Sequence, residues 1–247
     1  TFRYILGNLN DKFEKVNFEK LDISNLPELE QFMLCKIFKM NLMFEKNFKI
    51  YNFHVLYKEL LNFCTVDLSA FYFDIRKDSL YCDKIDSPKR KSTIIFLNIL
   101  LEILLKWFAP ILSFTTEEIY SLLKINSNKS IHLENFPKIP SKWNDQDLEA
   151  KWNELIKIRE ICNSSIELKR AEKEIGSSLE ANLIINLNEK MIKFTSGIDF
   201  SELCITSAAR IEKIKSEEIV VKTIKAEGQK CPVCWKISKN QCERHSL

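Results

Sequence analysis

Apolar residues recur with helical spacing through the first two thirds of the chain. In the segment from Leu26 to Asn47 they are separated by steps of three and four residues, which places them on one face of a helix. The same spacing recurs from Asn52 to Phe73, from Pro88 to Phe108 and, among many charged residues, from Asp147 to Ile175. Four long helices with buried stripes are therefore predicted.

Several residues at the ends of these segments match helix start and stop signals. Asn25 with Glu28, and Thr115 with Glu118, have the spacing of a capping box, in which a side chain bonds to free backbone N–H groups. The second pair predicts a further short helix. Gly176 is placed to end the last long helix, because glycine readily adopts the left-handed conformation of a C-terminal cap.

The period of the apolar pattern changes beyond Gly176. Alternate residues become apolar, which is typical of strands. The inward positions are Ala181, Leu183, Ile185 and Leu187 in a first strand, Leu203 and Ile205 in a second, and Ile219, Val221 and Thr223 in a third. A short helix is predicted from about Asn188 to Phe194, and the polar segment from Asn126 to Ser141 is predicted to be a loop.

These patterns predict a mainly α fold with three parts. Residues 1–145 form a helical bundle, residues 146–228 a long helix with a small α/β subdomain, and residues 229–247 a separate tail. The chain opens without Met on the apolar residues Phe2, Tyr4, Ile5 and Leu6, which indicates part of a larger protein.

Composition narrows the class of protein. Only 4 glycines and 6 prolines occur, too few for the turns of a sandwich or barrel, and no two glycines are close enough to form a phosphate-binding loop. The hydrophobic content of 45% excludes general disorder. The most apolar stretch, Ile94 to Leu105, is shorter than the roughly 20 residues of a membrane span, so no membrane association is expected.

Charge and cysteine content both direct attention to the tail. From Ile219 to Leu247 six basic residues occur against two acidic ones, whereas charges in the rest of the chain nearly balance. Three of the 8 cysteines also lie there. The other five are predicted to be buried free thiols, which favours a reducing, cytoplasmic compartment. They are Cys35, Cys64, Cys82, Cys162 and Cys204.

The tail has the spacing of a metal site. Cys231 and Cys234 are followed, after a spacer of seven residues, by Cys242 and His245, so that two short turns each present two ligands. Thiolates with one imidazole favour a zinc ion with all four positions filled, which is a structural site. The alternative is a redox pair, Cys231 and Cys234, with the other two residues uninvolved.

The residues around this motif have the chemistry of a surface for single-stranded nucleic acid. An aromatic ring stacks on a base while cations neutralise phosphates. Alternatively, the ring packs over the metal site and the cations only interact with solvent. The candidate residues are Trp235, Lys236, Lys239, Arg244 and Lys230.

No residue receives a catalytic role. The 3 histidines are far apart in the chain, and His54 most simply has a local structural role. Asp67 and Asp74 are the best carboxylate candidates, but ion pairs with residues such as Arg76 or Lys77 explain them more simply.

Several segments, in order, resemble bacterial isoleucyl-tRNA synthetases in their C-terminal part. The resemblance covers essentially the whole chain. It rests on Thr1-Phe-Arg-Tyr-Ile-Leu-Gly, Tyr51-Asn-Phe-His54, Phe63 to Asp78, Trp107 to Glu118, Gly176-Ser-Ser-Leu-Glu-Ala181 and Lys230-Cys-Pro-Val-Cys-Trp235. Class I synthetases for valine, leucine and methionine share the bundle, but the Gly176 segment followed by a zinc knuckle favours isoleucine.

The resemblance implies an anticodon-binding helix bundle of a class I synthetase, a small α/β subdomain and a C-terminal zinc knuckle that together hold the anticodon stem-loop of tRNA(Ile). It implies a monomer whose catalytic and editing domains lie upstream of Thr1, where ATP activates isoleucine and mischarged valine is hydrolysed. This chain alone would be inactive. Arg3 falls on a basic position of the first helix that would reach the anticodon loop.

Two positions depart from the family pattern. The family usually closes its knuckle with a fourth cysteine after a longer spacer, where this chain has His245. It also tends to have Arg before the second cysteine, where Val233 stands, so one RNA contact is absent or moved to Lys236 or Arg244. Two other functions remain open: a stand-alone zinc-knuckle RNA-binding module, and a helical scaffold for a protein partner.

Overall fold

Helices account for most of the described residues, 1–10, 12–123 and 129–245, of this computed structural model. They fall into two units, Thr1–Asp145 and a second that begins at Gln146. The predicted fold class, mainly α with a small α/β part, is confirmed. No helix in the described part is long and apolar enough to cross a membrane. Residues 126–128 of the predicted loop lie outside the described residues.

The first unit is a bundle of helices. Its α-helices are α1 (Phe2–Leu9), α2 (Glu28–Lys49), α3 (Phe53–Asn62), α4 (Asp74–Cys82), α5 (Pro88–Phe108) and α6 (Ser113–Leu122), with 3-10 turns at Ile23–Asn25, Ile131–Leu133 and Ser141–Trp143. Between α3 and α4 the helix continues as a π-helix, Phe63–Phe73. The predicted stripe of α2 is confirmed, because Leu29, Met33, Ile37, Met40 and Phe44 are all buried.

The helix ends differ from the predicted ones. Pro27 occupies the N-cap of α2 with no side-chain cap bond, while the Asn25 amide donates to Asp22 at 3.0 Å. Helix α6 begins at Ser113, so Thr115 lies inside its first turn. Both predicted capping boxes are therefore wrong. A capping box needs its first residue outside the helix, and the preceding turns place these helix starts at other residues.

A buried ionic cluster joins α2 to the π-helix and α4. Glu30 is fully buried, and its carboxylate accepts hydrogen bonds from Arg76 at 2.6 Å to each oxygen and from the Tyr72 hydroxyl at 2.9 Å. Burial raises the pKa of Tyr72 well above its ordinary value, and the neighbouring Glu30 charge adds to the shift. The apolar pattern does not indicate Glu30, although Glu30 directly follows Leu29 of the apolar stripe.

The carboxylates considered as catalytic candidates are in ion pairs. Asp74 pairs with Lys77 at 2.8 Å, as predicted. Asp67 pairs with Lys36 of α2 at 2.7 Å rather than with Arg76, which serves Glu30. All cysteines are free thiols, and of the five predicted to be buried only Cys82 is half-buried.

The second unit packs one long helix against a small sheet. Its elements are α7 (Gln146–Ala171), β1 (Ala181–Leu187), α8 (Glu189–Ile192), α9 (Phe200–Leu203), β2 (Ala208–Lys213), β3 (Val220–Lys225), β4 (Gln229–Lys230) and β5 (Ile237–Ser238), with 3-10 turns at Ser178–Glu180 and Lys193–Thr195. The sheet order is β2-β1-β3, with β1 parallel to β2 and antiparallel to β3. Alternate residues of β1 are buried, as its pattern predicts.

Two predictions for the second unit are wrong. Leu203 ends α9 and Ile205 has a φ of 56°, so the second strand begins later, at Ala208. Helix α7 ends at Ala171, and Lys173, with a φ of 60°, takes the left-handed position expected of Gly176. The Gly176 N–H instead donates to the Glu180 carboxylate at 2.9 Å.

Candidate metal centre

A tight turn between β4 and β5 carries the first two cysteines. The strands pair Gln229 with Ser238 and Lys230 with Ile237. Within the turn, the Cys231 N–H donates to the Lys236 carbonyl at 2.9 Å, and the Trp235 N–H donates to the Cys231 carbonyl at 3.0 Å. These bonds fold the backbone back on itself, so that both thiols point to the same side. We call residues 228–245 the knuckle.

The second pair of predicted ligands completes a cluster with the first. One donor atom from each of Cys231, Cys234, Cys242 and His245 lies within 4.8 Å of all the others. The His245 Nδ1 atom is 3.4 Å from the Sγ atoms of Cys231 and Cys242, and the Sγ atoms of Cys234 and Cys242 are 3.8 Å apart. The four residues could therefore hold one metal ion.

These distances fit a tetrahedral ion bound by three sulfurs and one nitrogen. With bonds of about 2.3 Å to sulfur and about 2.1 Å to nitrogen, a tetrahedron has S–S edges near 3.8 Å and S–N edges near 3.6 Å. The redox alternative lacks its usual setting, since a redox Cys-x-x-Cys pair begins a helix, whereas Cys231 and Cys234 lie between two short strands.

The two cysteines of the turn differ in acidity. Hydrogen bonding from the Cys234 backbone N–H lowers the pKa of Cys231 to about 6, whereas burial raises the pKa of Cys234 to about 12. A bound cation would favour the thiolate form of both, because thiolates are the ligand form.

Contacts of Gly228 and Ser207 hold the knuckle in place within the second unit. Gly228 has a φ of 128°, and the backbone of Ser238 and Lys239 occupies the place that a Cβ atom would take. The Ile237 N–H donates to the Ser207 hydroxyl at 2.7 Å. The sequence pattern alone does not indicate these residues. The position of Gly228 shortly before the cysteine motif was a sequence signal for a tight turn. Ser207 gave no such signal, because it is distant in sequence from the knuckle.

The surface of the knuckle combines a ring with cations. Trp235 is 57% exposed, and the Lys230 ammonium lies 5.1 Å from its ring centroid. Lys236 is half-buried and donates to the Ser201 hydroxyl at 3.2 Å, and Lys239 forms an exposed ion pair with Glu227 at 2.9 Å.

The remaining two predicted RNA-binding residues are both exposed. Arg244 lies between the third and fourth ligands of the cluster, and Arg3 lies on α1 of the first unit. Thus five of the six candidates belong to the knuckle, where Trp235 and Lys230 are in direct contact, and Arg3 belongs to the other unit.

Comparison with known proteins places the chain in a family. Residues 30–185 match the sequence pattern described as the anticodon-binding domain of tRNA ligase. This match covers more than half of the chain, which therefore belongs to the family of tRNA ligases with that domain.

Individual relatives are more specific. The chain is 63% identical over 246 residues to isoleucine--tRNA ligase of Pelagibacter ubique. The aligned region covers 100% of this chain and 27% of that protein. It is 37% identical to the enzymes of the same name from Agrobacterium fabrum and Brachyspira hyodysenteriae. The first alignment covers 96% of this chain and 25% of the relative, and the second covers 95% and 26%. The resemblance to isoleucyl-tRNA synthetases is confirmed. The chain spans about a quarter of the length of these relatives.

Proposed function

We propose that this chain is the tRNA-recognition portion of an isoleucine--tRNA ligase and binds the anticodon stem-loop of tRNA(Ile). The observation that carries the proposal is the match of the whole chain to isoleucine--tRNA ligases at up to 63% identity. The full enzyme attaches isoleucine to tRNA with ATP and removes mischarged valine, in domains that precede Thr1. This chain alone is catalytically inactive, and the enzyme is a cytoplasmic monomer.

The knuckle supplies the chemistry for contacting RNA. The exposed indole ring can stack on a base with the face that Lys230 does not cover, and the Lys230 ammonium over the other face attracts the phosphate that accompanies that base. Arg244, Lys236 and Lys239 extend the positive charge along the knuckle. Arg3 contributes from the first unit.

The ion proposed for the cluster is zinc, in a structural role. Cys231, Cys234, Cys242 and His245 fill all four positions, which leaves no site for a reacting water. Zinc would stabilise a knuckle whose own pairing consists of two-residue strands. A Cys₃His set carries one negative charge fewer than a Cys₄ set, which favours an RNA-facing surface.

Binding of a labelled tRNA(Ile) anticodon stem-loop, measured by fluorescence anisotropy, tests this function. We expect tighter binding of the cognate stem-loop than of a non-cognate one. Trp235→Ala should weaken binding by about 1–3 kcal/mol because it removes the ring on which a base stacks. Val233→Ala is the matched control, since Val233 lies in the same turn, is 48% exposed and has no ring.

Two results would contradict the proposal. Equal affinity for cognate and non-cognate stem-loops would remove the recognition function. Equal effects of Trp235→Ala and Val233→Ala would leave RNA recognition intact but return the indole ring to a packing role over the metal cluster.

A further inference from the structure

Both residues that directly follow Trp235 are held from outside the knuckle. The Lys236 ammonium donates to the Ser201 hydroxyl at 3.2 Å. The Ile237 N–H donates to the Ser207 hydroxyl at 2.7 Å. The backbone on the C-terminal side of the Trp235 ring is therefore attached to two serine side chains of the α/β subdomain.

Ser201 and Ser207 belong to one short segment, residues 199–207, which we call the α9–β2 corner. The Asp199 carboxylate accepts a hydrogen bond from the Ser201 N–H at 2.8 Å, which fixes the start of α9. At the other end of the segment, the Ser207 N–H donates to the Ala181 carbonyl of β1 at 3.0 Å. Because the α9–β2 corner is bonded to the sheet in this way, its two hydroxyl groups have defined positions.

The Ser207 hydroxyl makes two hydrogen bonds at once. It accepts from the Ile237 N–H of β5 and donates to the Leu179 carbonyl, which precedes β1. A hydroxyl group has one proton to donate and lone pairs with which to accept, so the two bonds can form together. Alanine at this position would leave a backbone donor and a backbone acceptor without this partner. Ser207 therefore joins the start of the sheet to the strand that follows Trp235.

Two bulky residues near this contact have left-handed backbone conformations. The φ of Ile205, in the α9–β2 corner, is 56°, and the φ of Trp235 is 63°. This conformation is costly for a residue with a Cβ atom, and glycine adopts it more readily. Strained residues of this kind persist where surrounding contacts enforce them, and they are concentrated at functional sites. The strain indicates that an indole ring at position 235 serves a purpose other than folding the turn.

The metal cluster would not by itself fix the knuckle on the subdomain. Its four candidate ligands all lie within the knuckle, so a bound ion would stabilise the internal shape of the turn. The place of that turn relative to the sheet depends on contacts with other segments, and the hydrogen bond between Ile237 and Ser207 is one of them.

We propose that Ser207 is a positioning residue for RNA recognition, because it sets the direction in which the Trp235 ring faces. The inference rests on the proposed function, in which a base stacks on that ring. Ser207 acts through Ile237, two residues from the ring, and Lys236 adds the second attachment through Ser201. A ring that is oriented before binding loses less freedom when the base arrives, which favours affinity.

Binding of the labelled tRNA(Ile) anticodon stem-loop to the zinc-loaded full-length ligase tests this role. Stacking on an aromatic ring changes affinity by about five- to 150-fold per base, and a misplaced ring forfeits part of that gain. Ser207→Ala should therefore weaken binding by about threefold to tenfold. The zinc content of this variant should equal that of the unmodified ligase, because none of the four candidate ligands is changed.

Two further variants serve as rescue and control. Ser207→Thr keeps the hydroxyl group and should restore binding. Ser216→Ala removes an exposed hydroxyl group of the same unit, in the segment between β2 and β3, and should leave binding unchanged.

A double-mutant cycle separates positioning of the ring from general loosening of the knuckle. If Ser207 acts through the ring, Ser207→Ala should cause no further loss of affinity when it is added to Trp235→Ala. Ser201→Ala removes the other attachment without changing any charge and should behave in the same way. It replaces Ser207→Ala in the cycle if that variant does not fold.

Four results would overturn the positioning role. They are unchanged binding in Ser207→Ala, loss of zinc from that variant, failure of Ser207→Thr to restore binding, and an equal loss of affinity with and without the Trp235 ring. Equal affinity of the unmodified ligase for cognate and non-cognate stem-loops would instead contradict the proposed function. A preference for the cognate stem-loop with no effect of Ser207→Ala would contradict the positioning role alone, so the two failures are distinguishable.

Discussion

At the scale of single residues, the buried pair of Glu30 and Arg76 shows how far side-chain chemistry depends on the fold. Both are almost completely buried, with side-chain exposures of 0% and 3%. Their charges are tolerated because Arg76 donates to both carboxylate oxygens and Tyr72 adds a third bond. The partner residues are more than forty positions apart, so helical spacing alone gave no indication of the pair.

Arg76→Met should destabilise the first unit by about 3–5 kcal/mol, because it leaves the Glu30 carboxylate buried without its cation. The control Lys77→Met removes an exposed ion pair with Asp74 and should cost less than about 1 kcal/mol. Urea unfolding followed by circular dichroism measures both. Adding Glu30→Leu to Arg76→Met should recover much of the stability. Equal destabilisation by the two single variants would disprove the role of the buried pair.

At the scale of elements, apolar periodicity predicted the helices well and their ends poorly. Burial dominates the free energy of a helix such as α2, so its inward stripe is visible in the sequence. A helix end depends on cap bonds of about 1 kcal/mol each, which neighbouring turns easily outweigh. The π-helix was also missed, because its spacing of apolar residues resembles that of an α-helix over a few turns.

The C-terminal end of α7 gives a second example of competition between local preferences. Lys173 adopts a left-handed conformation that glycine would adopt at less cost. The Glu174 N–H donates to the Lys169 carbonyl at 3.1 Å, and the Lys169 ammonium pairs with Glu172 and Glu174 at 2.7 and 2.9 Å. These bonds end the helix before Gly176 is reached.

The pairing of the two strands of the knuckle depends on Gly228. In Gly228→Ala, the added Cβ atom would meet the backbone near Ser238, including the Lys239 nitrogen at 2.6 Å. The pairing of β4 with β5 should loosen and zinc affinity should fall by more than about tenfold, equivalent to 1.4 kcal/mol. Zinc content by elemental analysis and chelator competition measure the change.

Gly7→Ala is the matched control, because a Cβ atom there meets nothing within 4 Å. This variant should retain one equivalent of zinc per chain. If the purified unmodified protein held less than about half an equivalent, the ligand assignment itself would be wrong.

At the scale of the whole molecule, the overall charge of +3 conceals an uneven distribution. Positive charge is concentrated in the tail, where the knuckle presents Lys230 and Arg244. RNA binding through these residues should release counterions and therefore weaken as salt increases. The sequence predicted the four residues of the metal-binding cluster because ligand spacing is local. It could not predict the role of Ser207, because the contact of Ser207 with Ile237 depends on packing between distant segments.

A salt titration of stem-loop binding tests this distribution. Replacing Lys230 and Arg244 together by Gln should reduce the slope of log affinity against log salt by roughly 1.4, about 0.7 for each phosphate that is no longer neutralised. The control replaces Lys84 and Lys91, exposed cations of the first unit, by Gln and should leave the slope unchanged. A slope equally reduced in both pairs would indicate a general charge effect.

The Glu227 carboxylate is a counterion for the Lys239 ammonium of the knuckle. Both side chains are 75% exposed, so solvent screens their contact and the ion pair exchanges readily. A single small anion gains little by displacing the carboxylate from Lys239. Under the proposed function, a polymer of phosphates that engages the neighbouring cations would displace it at small cost. If the knuckle binds RNA as proposed, this pair would favour a continuous polyanion over isolated anions.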